Sequence, residues 1–223
     1  MSKLSFDPEL LPVESFAGEA AVASHHLTAE ALRERFLSPP QWAPERMAEH
    51  LLHDLATPLT PASVLLPVVV RDAGLTLLFT QRTAHLTDHG GQVSFPGGRA
   101  EAYDTSAIDT ALRETEEEVG LDRTHVEVLG ILPEYRTGTG YRITPVVGLV
   151  QPPFSLRPDP REVAEIFEVP LQFLMDGANH QTRSAEFPNG RGRRSFYAMP
   201  YERFFIWGAT AGMLRNLFHF LRA

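Results

Sequence analysis

The chain has 223 residues, is 43% hydrophobic, carries a formal net charge of −8 and contains no cysteine. That length and apolar content suffice for one domain with a sizeable core, and the missing cysteines exclude disulfides, thiolate nucleophiles and cysteine-bound zinc. The acidic balance argues against a nucleic-acid partner, which needs clustered Lys and Arg, and no run approaches the eighteen consecutive apolar residues of a membrane-spanning helix.

Residues 1–23 show no periodicity and are expected to form an arm. Their first seven have neither the charged nor the apolar region of a secretory signal, so a cytoplasmic location is expected. Leu32, Phe36 and Leu37 give residues 28–37 a helical pattern that Ser38-Pro39-Pro40 ends. Residues 1–60 are therefore read as an N-terminal arm and helix, and 61–223 as the functional domain. Residues 64–70 and 75–81 read as strands around an Asp72-Ala73-Gly74 turn. Next come an apolar run, Gln92-Val93-Ser94-Phe95, the turn Pro96-Gly97-Gly98, and a polar loop to Asp104-Thr105-Ser106, whose side chains suit a helix N-cap.

The following helix is expected to stop at Gly120 in a left-handed cap. Strands are expected at 126–132, 144–150, 165–169, 182–187 and 194–205, with a short helix at 170–175. Arg191-Gly192-Arg193-Arg194 follows the turn signal Pro188-Asn189-Gly190 and reads as a hairpin tip, solvated or, as the alternative, meeting the substrate or a subunit. The chain has one lysine, so arginine carries nearly all its positive charge. Met213, Leu214, Leu217, Phe218 and Leu221 make an amphipathic closing helix. This order of strands on short turns with few helices argues for an α+β fold with a mixed sheet. The lack of Gly-x-Gly-x-x-Gly after a strand argues against a doubly wound parallel sheet.

Chemistry concentrates in Arg113-Glu114-Thr115-Glu116-Glu117-Glu118-Val119-Gly120-Leu121. Glu114, Glu117 and Glu118, at i, i+3 and i+4, project to one face of the helix. An acidic helix face is ordinarily just solvated, but here a strand, a glycine turn and a glycine stop flank it. Three mutually repelling carboxylates suit an oxygen-preferring dication, Mg²⁺ or Mn²⁺ rather than Zn²⁺. Arg113 lies within i, i+4 reach of Glu117 and would hold that carboxylate in one rotamer. His85 and His89 have no third nitrogen or sulfur ligand at matching spacing, which disfavours zinc. Ser94, Ser106 and Ser195 lack a Gly-x-Ser-x-Gly context, which disfavours a serine hydrolase.

The stretch from Arg113 to Leu121 resembles the second half of the Nudix box. Its first half departs from the general pattern: fourteen residues rather than thirteen separate Gly98 from Arg113, Thr105 replaces the first Glu, and Asp104 is the nearest acid. That shift is similar to the coenzyme A pyrophosphatase branch. So is the segment Leu78-Phe79-Thr80-Gln81-Arg82-Thr83 running on to Gly91 and Phe95-Pro96-Gly97-Gly98, although Thr87 stands where that branch has a second Arg. Residues 132–148, 162–171 and 206–211 resemble the same branch.

The resemblance implies an α/β/α sandwich and metal-dependent hydrolysis of the diphosphate of coenzyme A or its acyl derivatives. The products would be 4′-phosphopantetheine and adenosine 3′,5′-bisphosphate. The alternatives are a Nudix enzyme for another nucleoside diphosphate derivative, such as ADP-ribose or NADH, and a non-catalytic Nudix binding domain. It implies Glu114, Glu117, Glu118 and the Gly98 carbonyl as metal ligands, and Arg113 as the residue that orients them. Glu114 is the first choice of general base and Glu165 the second, with Glu134 read as surface. Arg82, Arg99, Arg136 and Arg142 are candidates for the substrate's phosphates. The first sixty residues are open between an arm exchanged in a homodimer and a cover over the substrate cleft.

Overall fold

The computed structural model describes residues 6–45, 58–84, 90–187 and 192–223. His85, Thr87, His89 and Arg191 lie outside them.

A mixed sheet forms the centre of the protein. Its longest strands are β2 (Thr60–Arg71), β3 (Gly74–Arg82), β8 (Tyr141–Val150) and β9 (Val163–Pro170). Its shorter members are β4 (Val93–Ser94), β5 (Gly97–Arg99), β6 (Val126–Ile131) and β7 (Tyr135–Arg136). Strands β2 and β8 run parallel, and the other pairs are antiparallel. The expected hairpin at Gly74 forms, with that glycine at φ 116°.

Strand β3 pairs with β2 only at residues 74–77, and β2 then diverges from it. The chain fills the gap: β4 pairs with β3 at Thr80 and Gln81, and β5 pairs with β2 at residues 62–64. This divergence brings Gly97 and Gly98 to α2 (Ala107–Val119).

Alternation along β2 sends Val64, Leu66 and Val68 to one face of the sheet and Leu65 and Val69 to the other. Helix α2 covers Leu65 and Val146 through Ala111. Helix α4 (Gly208–Arg222) covers the opposite face with Leu214, Leu217 and Leu221. Helices on both faces of the sheet make the fold an α/β/α sandwich. The expected strand 194–205 divides into β11 (Gly192–Tyr201) and β12 (Phe204–Trp207), because the chain turns at Glu202, which takes a positive φ of 51°. With β10 (Gln181–Phe187) and β1 (Ser15–Phe16) these form a separate antiparallel sheet. A short helix, α3 (Leu171–Leu174), follows β9.

The N-terminal segment is integrated into this framework. Helix α1 (Ala29–Leu37), capped by Thr28 as its sequence suggests, buries Leu32 in the same core as α4. Polar contacts converge on Arg215 of α4, only 2% exposed. Its guanidinium donates to Glu19 at 2.6 and 3.1 Å, to Glu45 at 2.9 Å and to Nδ1 of His180 at 3.1 Å. Burial raises the Glu45 carboxyl, but hydrogen bonds from His219, Tyr197 and Arg215 prevail and hold it at about 2. Two acids far away in sequence thus dock the arm on the closing helix.

His180 is fully buried, and its Nε2–H donates to the Leu174 carbonyl at 2.8 Å. Burial, with Arg215 adding to it, pulls its pKa down to about 4. Between pH 6.5 and 4 the unfolded chain therefore takes up a proton that the folded His180 refuses. The residue withdraws stability as pH falls, by roughly 3 kcal/mol at the acid end. His180→Gln is expected to be less stable than wild type at pH 7, with the gap in urea midpoint shrinking toward pH 4. A gap that stays constant across this range would refute the assignment.

Candidate active site

Local chemistry sets both ends of α2. The Ser106 hydroxyl accepts from the Asp109 N–H, and Gly120 closes the helix in the left-handed region at φ 69°. Thr115, where the Nudix box has an aliphatic residue, is fully buried and returns its hydroxyl to the Ala111 carbonyl at 2.6 Å. A polar side chain is thus accommodated without an unpaired group.

Glu114, Glu117 and Glu118 share one flank of the helix, facing the β4–β5 turn. Glu118, 5% exposed, accepts the Gly97 N–H at 3.0 Å, and its other oxygen lies 3.5 Å from Arg82. Burial pushes its pKa up to about 7, against the pull of Gly97 and Arg82. Burial raises Glu114 as well, although Arg113 opposes the shift. A side chain at Gly98 would place Cβ 2.5 Å from the Glu114 carboxylate, so glycine is what lets that carboxylate lie against the turn.

Arg113 is the organiser. It makes two hydrogen bonds to Asp104, at 2.8 and 2.9 Å, and reaches Glu114 at 2.9 Å, Glu117 at 3.1 Å and the Arg99 carbonyl at 3.1 Å. Asp104 also accepts from the Glu101 N–H and the Thr110 hydroxyl, and Arg113 foremost holds its carboxyl well below the usual range. The acid found one position early in the sequence thus anchors the arginine beside the helix.

The remaining candidates separate. Arg82 stands between Glu118 and Glu162, at 3.5 and 3.8 Å. Arg99 donates to the Tyr141 hydroxyl at 2.6 and 3.1 Å. Arg136 and Arg142 are cross-strand partners in β7 and β8, and Glu134 lies 3.6 Å from Arg142. Glu165 is ion-paired with Arg203.

Glu162, which the sequence reading passed over, is the acid whose charge Glu114 and Glu118 both feel. A bulge puts it there: β9 has an extra residue, Ala164, opposite the Gln81–Arg82 step. The preceding loop is pinned to the end of α2 by Arg157 N–H to Val119 O and Asp159 N–H to Glu118 O. A bulge is a property of strand register, and nothing in the local sequence announces it.

Among the described residues no three His, Asp or Glu side chains already converge on a metal-binding point. The donor chemistry nonetheless fits a hard divalent cation. It consists of oxygens only, one of them on a buried carboxylate short of positive charge, beside a turn whose glycine leaves the approach open. Glu114 and Glu117 are instead held by Arg113.

The NUDIX domain family matches residues 60–187, more than half of the chain. The uncharacterized Nudix hydrolase NudL of Escherichia coli O6:H1 is 45% identical over 157 residues, covering 70% of this chain and 80% of its own. NudL of Escherichia coli K12 matches at the same identity and coverage. A crystal structure of a Nudix hydrolase from M. smegmatis, RenU, is 23% identical, with 52% of this chain and 73% of that one covered and a TM-score of 0.44. The chain therefore belongs to the Nudix family and is a hydrolase of that family, whose members act on small nucleotide substrates with divalent cations.

Proposed function

We propose that this enzyme hydrolyses the diphosphate of coenzyme A or its acyl derivatives, releasing 4′-phosphopantetheine and adenosine 3′,5′-bisphosphate, with Mg²⁺ or Mn²⁺. The observation that carries this reading is the segment 78–98 together with the box whose acid is shifted to Asp104. The Asp104–Arg113 pair supports it, because it gives the shifted acid a structural task.

In this reading Glu114, Glu117 and Glu118, with the Gly98 carbonyl, hold the cation. A cation held there would supply charge to neutralise phosphate oxygens and to lower the pKa of a water. Arg113 fixes the rotamers of Glu114 and Glu117 and takes no part in proton transfer, since a guanidinium stays protonated. Glu114 is the first candidate to accept the proton of the attacking water. Glu162, rather than Glu165, is the second, because Glu165 is committed to Arg203. Arg82 has the charge and position to meet the diphosphate beside the carboxylates.

The test incubates wild type and Glu117→Gln with coenzyme A, ADP-ribose and NADH in Mg²⁺ and separately in Mn²⁺, with products identified by mass. Cleavage of coenzyme A to the two named products by wild type alone is the expected result. Cleavage of ADP-ribose or NADH with coenzyme A left intact would overturn the substrate assignment while leaving the carboxylate site standing.

A further inference from the structure

Near the start of β2, on the strands beside the Gly97–Gly98 turn, two arginines face each other. Arg136 of β7 and Arg142 of β8 are direct cross-strand partners, so their side chains leave the same face. Like charges directly opposite one another on a sheet are destabilising. Their compensation is slight. Glu134 approaches Arg142 only to 3.6 Å, and among the described residues no carboxylate lies within ion-pair distance of Arg136. Several other arginines have close carboxylate partners: Arg33 donates to Glu127, Arg71 to Glu168 and Arg113 to Asp104. Among the described residues, Glu134 is the one acid within ion-pair distance of these two cations.

The backbone carrying the pair is fixed. The Thr137 N–H donates to the Tyr141 carbonyl at 2.9 Å, and the Tyr141 N–H returns to the Thr137 hydroxyl at 3.0 Å. Gly140 takes a positive φ of 94°, and its carbonyl accepts the Thr60 N–H at 2.8 Å. Arg142 lines a cleft of about 230 Å³ with Ser63, Thr144 and Thr110, and its acids are Glu101, Glu134 and Asp104, the last neutralised by Arg113. This cleft runs along the loop that bears Asp104, the anchor of Arg113.

Register gives the span. Gly98 pairs with Ser63, Ser63 with Thr144, and Arg142 lies two residues before Thr144. Two strand spacings and two residue rises separate Gly98 from Arg142 by about 12 Å between Cα atoms. An arginine side chain is long enough to cover part of that span, which leaves room for a nucleoside between the two sites.

We infer that Arg136 and Arg142 form a subsite for a terminal phosphate monoester carried on the nucleoside, apart from the diphosphate that is cleaved. The inference rests on the coenzyme A reading and deepens it, assigning the ribose 3′-phosphate to this pair and the diphosphate to the carboxylate site and Arg82. A monoester dianion matches two guanidinium groups in charge and accepts several hydrogen bonds from them. The pair therefore decides specificity without touching the bond that breaks.

The experiment compares coenzyme A with dephospho-coenzyme A, which has the same diphosphate but no 3′-phosphate, on wild type and Arg136→Ala/Arg142→Ala. Both side chains are exposed, so the variant is expected to fold, with thermal unfolding as the check. Wild type should favour coenzyme A. The variant should lose about 30-fold in kcat/KM for coenzyme A and stay within about twofold for dephospho-coenzyme A. Calorimetry with adenosine 3′,5′-bisphosphate against 5′-AMP should show the same preference in wild type and its loss in the variant. Equal losses on both substrates, or no loss on coenzyme A, would overturn the subsite while the hydrolytic reading stands. If wild type cleaves neither compound, the coenzyme A reading fails, and calorimetry alone then decides the subsite.

Discussion

Glu118→Gln is expected to lower turnover by about 10³-fold and, in chelated protein at pH 8, to raise the unfolding temperature. The two effects have one cause. The Glu118 side chain is nearly sealed from water, its pKa is pushed from 4.5 to about 7 by burial, and neither Gly97 nor Arg82 offsets that shift. A carboxyl whose folded pKa is raised opposes folding above that pKa, and the penalty disappears as pH falls from 7 to 4.5. At pH 8 it amounts to as much as roughly 3 kcal/mol. Glutamine retains an acceptor for the Gly97 N–H and removes the charge. The metal-free variant should therefore gain several degrees at pH 8 and little at pH 5, whereas adding Mn²⁺ should stabilise wild type more than the variant. Turnover within tenfold of wild type would remove Glu118 from the proposed cation site. A chelated variant less stable than wild type at pH 8 would show that the buried charge carries no penalty. Because Glu118 and His180 titrate in overlapping windows with opposite signs, each must be read as a difference between a variant and wild type.

Gly98→Ala should separate activity from folding. The new methyl would sit 2.5 Å from the Glu114 carboxylate, the far end of a flexible side chain, so the collision is relieved by turning Glu114 away from the turn. Stability should fall by about 1 kcal/mol, while kcat falls by about 10²-fold because a proposed ligand and base is displaced. Gly97→Ala is the contrasting control. Its Cβ would meet the Ser63 carbonyl at 2.3 Å and the Val64 Cα at 2.6 Å, both backbone atoms, at φ 151°. That variant is expected to lose its cooperative unfolding transition. Near wild-type kcat in Gly98→Ala would show that Glu114 need not lie against the turn, and a folded, active Gly97→Ala would refute the close packing of β5 on β2.

The features legible in the sequence are those that a few consecutive residues decide. Ser106 and Gly120 mark the ends of α2 because cap bonds and a left-handed residue are local requirements. The common flank of Glu114, Glu117 and Glu118 follows from helical period alone, as does the inward face of Leu214, Leu217 and Leu221. Asp104 was visible as the nearest acid, but its two bonds to Arg113 depend on how the loop from Gly98 folds back over the helix.

Contacts set by long-range register were not legible. Glu162 and Glu165 lie three residues apart and look alike in sequence. The extra residue at Ala164 and the pinned loop bring the first beside Glu118, while the second pairs with Arg203. Residues 1–23 gave no periodic signal because they attach through isolated contacts, Glu19 on Arg215 and Val22 in the core, rather than through an apolar stripe. The sequence by itself determined the mixed α+β order and the carboxylate helix, since periodicity, caps and turns are written in neighbouring residues, while its resemblance to the Nudix box implied the family and the sandwich. Which acids and arginines meet that helix was decided only by the tertiary structure, because strand register and loop closure join residues that no local pattern connects.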